Sequence, residues 1–420
     1  MSDVAMRYGQ ALDGVAGPLM LSQPSLPLVA SVEVHTDPRA ALAEWRDLAI
    51  AAPATPYQTP DWLLPWIDTV GAAIGIEPMI VVARSGGGQA LALLPFGLLR
   101  QGRLTTAVFL GAKDSNFNMG LFRSGPLWSR AALLDLLRRA VRASGRRVDL
   151  FALRNQPHDW EGAPNPLLAL PSQPSPSFAY KARLSPDPDA FFKAQLSRES
   201  RKKLRQKMNR LRAFGPVEVL RAQTPAEIVE VLDAFVEQRT IRCAAYGLPV
   251  DEIPLLRRFL DRATAPAGPG GEAAGPVEFH GLRCGTRIVA TLGGVRRGGR
   301  FSGMLTSFTA HADLKRTSPG ELLLAEVMRH DCEKGIATFD LGVGEARYKE
   351  TYCPDVEPLF DSLVPLTPRG HVHARAEALK LQAKRSIKQS NWAWPAVQRL
   401  RKLRAALSRG RADEPPGRED

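Results

Sequence analysis

The stretch FDLGVGEARYK, Phe339 to Lys349, decides how this sequence is read. Phe339 and Leu341 alternate as in a strand, Gly342 and Gly344 end it, and Glu345, Arg347, Tyr348 and Lys349 follow in quick succession. Glycines after a strand mark either half of a nucleotide fingerprint or a backbone that passes close to something. The fingerprint reading is weak here, because the third glycine is missing and a turn follows. No glycine loop closes on Gly-Lys-Ser/Thr, and no Gly-x-Ser-x-Gly elbow occurs. P-loop and serine-hydrolase chemistry therefore have little support.

Working upstream, TSFTAHADLKRTSPGELLL (306–324) offers a better anion seat. A strand leads into a loop with Lys315 and Arg316, and Ser318, Pro319 and Glu321 then spell a capping box with proline at the first helical position. Its plainest meaning is a well-capped helix. A helix start carrying Gly320 beside two cations is equally a place for a phosphate.

The elements around this stretch occur twice. Met79–Ala83, Ala90–Leu94 and Thr105–Leu110 read as strands, Arg130–Ser144 as a helix and Val148–Leu153 as a strand. Val277–Arg283, Ile288–Val295, Phe301–Phe308, helix Pro319–Glu333 and strand Ile336–Leu341 repeat the order. RSGGGQ matches RCGTR, LLRQGRL matches VRRGGRF, and VDL matches FDL, at offsets of roughly 190 to 200 residues, which argues for a duplicated unit. The fold class is therefore α/β (α+β), two tandem units of mixed, mostly antiparallel sheet with flanking helices. The expected divisions are an unstructured 1–30, units at 31–185 and 186–370, and a basic tail at 371–420.

The chain has 420 residues and a net charge of +13, so an anionic partner is expected. The basic helix 197–212 holds eight Lys/Arg against one Glu, with Leu204, Met208 and Leu211 on one face. The four cysteines stand far apart and read as buried hydrophobes of a reducing compartment. His371 and His373 have no partnering cluster, so no metal is expected. No run reaches the ~20 apolar residues of a spanning helix, and the N-terminus lacks a secretion pattern, which points to the cytoplasm. From Arg375 to Arg411 there are eleven Lys/Arg. Val397, Leu400, Leu403 and Leu407 recur there at helical spacing after Trp392 and Trp394, so this tail reads as a packed helix or as a contact for an anionic membrane surface.

The basic helix, the SPGELLL helix and FDLGVGEARYK together resemble the Gcn5-related acetyltransferase (GNAT) superfamily. The closer resemblance is to its BioF2-like or CelD-like branch, relatives of the Fem-type peptidoglycan aminoacyltransferases. It spans residues 40–370 and is strongest over Ser197–Arg212 and Arg300–Pro365, including LFDSLVPLT (359–367), with FLGAKDSNFNMGLF (109–122) in the first half. It implies acyl transfer from acyl-CoA to an amine acceptor, in envelope polysaccharide or cellulose-related metabolism. Lys315, Arg316, Ser318 and Gly320 would then hold the donor, although the superfamily's Arg/Gln-x-x-Gly-x-Gly/Ala loop is absent. Tyr348-Lys349-Glu350-Thr351-Tyr352 fits a Phe-Lys-x-x-Phe-like motif near the acceptor. Lys349, Tyr348 and Glu345 become the catalytic candidates, with Lys349 facing a developing oxyanion and Glu345 as base. Asn116, Asn118, Asp340 and Arg347 become acceptor-binding candidates; for Asp340, hydrogen bonding to the following turn is the alternative. Two other readings are a Fem-like enzyme that draws on aminoacyl-tRNA and a non-catalytic accessory protein of polysaccharide synthesis.

Overall fold

A computed structural model of the chain describes residues 29–125, 127–265, 275–390 and 397. In the first unit, β1 (Ser31–His35) precedes helices α1 (Leu42–Ala51) and α2 (Pro60–Trp66). The meander β2 (Glu77–Arg84), β3 (Ala90–Gln101) and β4 (Leu104–Phe109) follows, then β5 (Leu121–Phe122), α3 (Arg130–Ser144) and β6 (Leu150–Pro157). Met79 to Ala83 are all buried, because helices cover both faces of this sheet and an unbroken apolar run suits such a position. A small hairpin, β7 (Asp159–Trp160) with β8 (Ala163–Pro164), leads to β9 (Ser172–Pro174) and β10 (Ala179–Arg183).

Helices α4 (Pro188–Gln195) and α5 (Arg198–Arg212) then open the second unit, followed by β11 (Val217–Arg221), α6 (Pro225–Ala245) and α7 (Ile253–Ala263). The second meander is β12 (Val277–Cys284), β13 (Arg287–Arg297) and β14 (Arg300–Phe308). After α8 (Ala312–Lys315) come α9 (Pro319–Glu333), β15 (Thr338–Val343) and α10 (Arg347–Tyr352). The last elements are β16 (Asp355–Glu357), β17 (Leu359–Pro365) and α11 (Pro368–Gln389).

The sheets run β1-β2-β3-β4-β6-β17-β9, with β5 also on β3, and β11-β12-β13-β14-β15-β10-β16. Each is antiparallel apart from one parallel pair, β4 with β6 and β14 with β15. Beside each parallel pair lies a strand from the other half of the sequence: β17 pairs β6, and β10 pairs β15. Sheet membership thus departs from a division at residue 185, because β10 belongs to the second sheet and β17 to the first. An apolar cluster bridges the units as well, with Trp62 edge-on to Phe259 at 5.0 Å between ring centroids.

One expectation changes at the C-terminal end. Residues 368–389 form a helix whose Ala374 and Leu381 are buried, so the tail expected from 371 begins inside a packed element. His371 and His373 sit exposed on that helix. The rest of the tail, with Trp392, Trp394 and the leucine stripe, lies outside the described residues apart from Val397, as do residues 1–28. The basic helix α5 docks through Leu204, Met208 and Leu211. All four cysteines are buried and free.

Candidate functional site

Strands β14 and β15 pair in parallel only through Arg300–Thr338, Phe301–Phe339 and Ser302–Asp340. Beyond that point β14 continues against β13 as far as Phe308, and the start of α9 faces the gap that opens. A cavity of about 360 Å³ results, walled by Thr306 and Phe308 of β14, Leu341 of β15, Tyr348, and the helix start at Ser318 and Gly320, with Lys315 beside it.

The helix start differs from the expected capping box. Ser318 adopts a left-handed backbone (φ 55°, ψ 56°) and makes no side-chain cap bond. An N-cap side chain reaches the N3 amide from an extended backbone, which Ser318 lacks. Glu321 is drawn elsewhere, onto the Lys207 ammonium of α5 and the Tyr352 hydroxyl (3.1 Å). The helix start thus has no cap side chain across it and its positive end faces the cavity. Of the two expected cations, Lys315 lines the cavity; Arg316 is 83% exposed, 3.8 Å from Asp313, and does not.

Beneath the gap lies a buried ion network. The Asp340 carboxylate accepts from Arg300 Nε (2.6 Å), the Ser302 hydroxyl (2.6 Å) and the Gly342 amide (3.0 Å). Arg300 also donates to Glu357 (2.8 Å), and its guanidinium lies 4.0 Å from the centre of the Trp160 ring. Burial works against the Arg300 charge, but Asp340 and Glu357 outweigh it and hold the cation above its ordinary range. Both Asp340 oxygens are engaged within the protein and the residue lines neither cavity of this region; it fastens β14 to the Gly342 backbone near the end of β15. This replaces its expected acceptor-binding role and agrees with the turn-bonding alternative.

The glycine question resolves on protein, not ligand. Gly342 has φ 66°, and a Cβ there would stand 2.2 Å from Asn116 Nδ2. Asn116 accepts from the Val343 amide (3.4 Å) and donates to the buried Tyr57 hydroxyl (3.0 Å). It is a tie between the units, not part of a cavity wall. Lys349 is 9% exposed and donates to the carbonyls of Gly342 (3.3 Å) and Val343 (3.0 Å). Burial lowers its pKa to about 8. It clamps the strand end from behind and lines neither cavity, so it is not placed to face an oxyanion.

A larger cleft of about 660 Å³ opens on the other side of the same strand end. Val343 and Gly344 line it, with Val108 of β4, Ala152 and Arg154 of β6, Asn118, Asp361 of β17, and lysines of α11. Glu345 follows Gly344, accepts from the Phe178 amide (3.3 Å) and faces Lys388 at 3.4 Å. Arg347 is exposed and lines neither space, which removes it from the acceptor set.

The structure therefore brings Lys315, Ser318, Gly320 and Tyr348 together at one cavity and Asn118 to the other. Sequence reasoning missed Asp361, although it stands inside LFDSLVPLT, because a strand from the far end of the chain showed no sign of joining the first sheet. Among the described residues no group of three or more His, Cys, Asp or Glu is placed to hold a metal.

Comparison with known proteins fits this geometry. Residues 198–350, within the second unit, match the family described as Acetyltransferase (GNAT) domain. Among solved structures, the crystal structure of FemX superimposes with a TM-score of 0.54 at 11% identity, over 77% of this chain and 96% of that one. A tandem GNAT protein from the clavulanic acid biosynthesis pathway gives 0.47 at 14% identity, over 80% and 99% of the two chains. A conserved protein of unknown function from Bacteroides thetaiotaomicron gives 0.49 at 13% identity, over 80% and 100%. The likeness to FemX is one of fold. No curated protein sequence matches the chain.

Proposed function

We propose that the protein transfers an acyl group from an acyl-CoA thioester to an amine, with the donor in the smaller cavity and the acceptor in the larger cleft. One observation carries the reading: a single strand end separates the two spaces. Leu341 and Tyr348 wall the smaller, and Val343 and Gly344 wall the larger. A donor from one side and an amine from the other meet there without either leaving its site. The uncapped start of α9, with Lys315 beside it, suits the donor's phosphates.

In the transfer the amine nitrogen attacks the thioester carbonyl carbon, and the C–N bond forms as the C–S bond breaks. One proton leaves the amine and one is taken up by the departing sulfur. Tyr348 is the proposed acid. Burial pushes its phenol up while a hydrogen bond to Thr306 works the other way, so the hydroxyl stays protonated at neutral pH at the cavity wall. Glu345, which follows Gly344 and reaches Lys388 at the cleft, is the proposed base acting through water, and Lys349 positions the strand end on which both depend. The resemblance to the BioF2-like or CelD-like branch supports a setting in envelope polysaccharide or cellulose-related metabolism.

The second reading, aminoacyl-tRNA as donor, draws on α5. It touches α9 through Lys207 and turns Arg198, Lys202, Arg205 and Arg210 to solvent. The test is thiol release from acetyl-CoA in the presence of amines. Tyr348→Phe is expected to lower turnover on the order of a hundredfold with acetyl-CoA affinity little changed. Full turnover in that variant would end the acid role. Binding of aminoacyl-tRNA without binding of acetyl-CoA would favour the second reading.

A further inference from the structure

The larger cleft sets buried acceptors beside a group of cations. Asp361 is 1% exposed; its Oδ1 accepts from the Asn155 amide (2.9 Å) and the Ser175 hydroxyl. Its Oδ2 is buried with no partner among the described residues. Asn118, 2% exposed, donates to the Arg154 carbonyl (3.2 Å), and its Oδ1 is likewise buried and unpartnered. Both residues line the cleft, so it presents two acceptors that need donors. A buried acceptor left without a donor costs about 1–3 kcal/mol. Two such atoms in one wall point to a ligand that completes them.

Next to these acceptors stand Arg154 and the α11 residues Lys380, Lys384 and Lys388, with Arg154 and Lys384 near enough to Asp361 for their charges to act on its carboxyl. Glu377 answers part of this charge, 2.5 Å from Arg154 and 3.6 Å from Lys380, and Glu345 faces Lys388. The cations still outnumber the carboxylates there. Lys384 registers the excess: burial first, then repulsion from Lys388, Arg154 and Lys380, lowers its pKa, and Asp361 offsets only part of this. Such a cluster favours an anion, and the volume of about 660 Å³ falls among small-molecule sites. Val108 and Ala152 supply an apolar wall alongside.

We infer that the cleft takes an amine-bearing phosphate ester, with its phosphate on Lys380, Lys384 and Arg154 and its ammonium on Asp361 and Asn118. The inference rests on the acceptor reading above for the ligand's role, and its test needs no donor. The ester is free, or it is the headgroup of a lipid; the chemistry in the cleft is the same.

Calorimetric titration of the full chain with glucosamine 6-phosphate, glucose 6-phosphate and inorganic phosphate separates recognition of the amine from recognition of the phosphate. The amine-bearing ester should bind at least tenfold more tightly than glucose 6-phosphate. Asp361→Asn should erase that preference without weakening inorganic phosphate, since it removes a negative charge beside Arg154 and Lys384. The double variant Lys380→Ala/Lys384→Ala, checked for an unchanged unfolding midpoint, should weaken both esters at least tenfold. Sedimentation with phosphatidylethanolamine vesicles, against phosphatidylcholine vesicles, covers the lipid source. Preference for the former that is lost in both variants supports the inference even where the free ester is ignored. No binding of either source, or binding indifferent to both variants, overturns it. Acetyl-CoA titrated into the same samples keeps the two proposals apart. Intact CoA binding beside an empty cleft overturns this inference alone, whereas a filled cleft without CoA binding overturns the transferase reading alone.

Discussion

Ser129 and Ser318 occupy matching places, each immediately before the helix that crosses between the parallel strands of its sheet, and they do opposite things. Ser129 is extended (φ −71°, ψ 160°), and its hydroxyl accepts from the Ala132 amide, so the start of α3 is closed by its own chain. Trp128 beside it is buried against Phe122, at 5.1 Å between ring centroids. Ser318 is left-handed and makes no side-chain cap bond, and the start of α9 opens on a cavity. The same strand–helix–strand unit thus serves once as structure and once as a place for a ligand. What separates them is whether local side chains satisfy the helix start.

The buried acids of VDL and FDL extend the comparison and give the largest expected effect. Asp149 accepts from the Thr105 amide (3.0 Å), the Thr367 hydroxyl (2.7 Å) and the exposed Arg147 (3.0 Å). Asp340 depends on a guanidinium that is itself only 5% exposed. Arg300→Met leaves the buried Asp340 without its cation and Glu357 with Lys181 alone, and should cost about 3–5 kcal/mol. Arg147→Met should cost under about 1 kcal/mol, since an exposed partner contributes little. Urea unfolding of both variants checks this, and equal losses would break the contrast.

Next comes the clamp that holds the second strand end. The Lys349 pKa of about 8 lies below its ordinary 10.5, so between these values the unfolded chain holds more protons than the folded one. Stability from this group therefore rises with pH across that window. Relative to Lys349→Met, the wild type should gain about 2–3 kcal/mol as pH climbs from 7 to 10.5, read from unfolding midpoints. A difference flat in pH would show that Lys349 is not held as a buried cation.

The smallest effects concern the serines themselves. Ser129→Ala removes a cap and should cost about 1 kcal/mol. Ser318→Gly relieves a left-handed backbone and should leave thermal stability unchanged or raise it by up to about 1 kcal/mol. A loss at Ser318 as large as at Ser129 would mean that the two helix starts are equivalent after all.

Much of this frame was legible in the sequence because it is local. Arg130–Ser144 and Pro319–Glu333 form helices at the bounds their apolar spacing suggests, and the paired meanders follow from alternation and turn residues. The capping box misled because Ser-x-x-Glu says nothing of φ at Ser318 or of the rival partners Lys207 and Tyr352. The exchange of β10 and β17 was out of reach, since their partners stand roughly 160 to 210 residues away and no periodicity records which sheet a strand joins. Asp361 was hidden for the same reason. Gly342 was flagged as a close approach, but only the folded chain shows that Asn116 is what it approaches.

The central claim is that the open start of α9 holds the acyl donor's phosphates. Calorimetric titration of acetyl-CoA into wild type, Lys315→Ala and Arg316→Ala tests it most directly, because one cation lines the cavity and its sequence neighbour does not. The account predicts binding to wild type, affinity reduced about tenfold or more in Lys315→Ala, and affinity unchanged in Arg316→Ala. Equal affinity in all three proteins, or no binding to wild type, would contradict it.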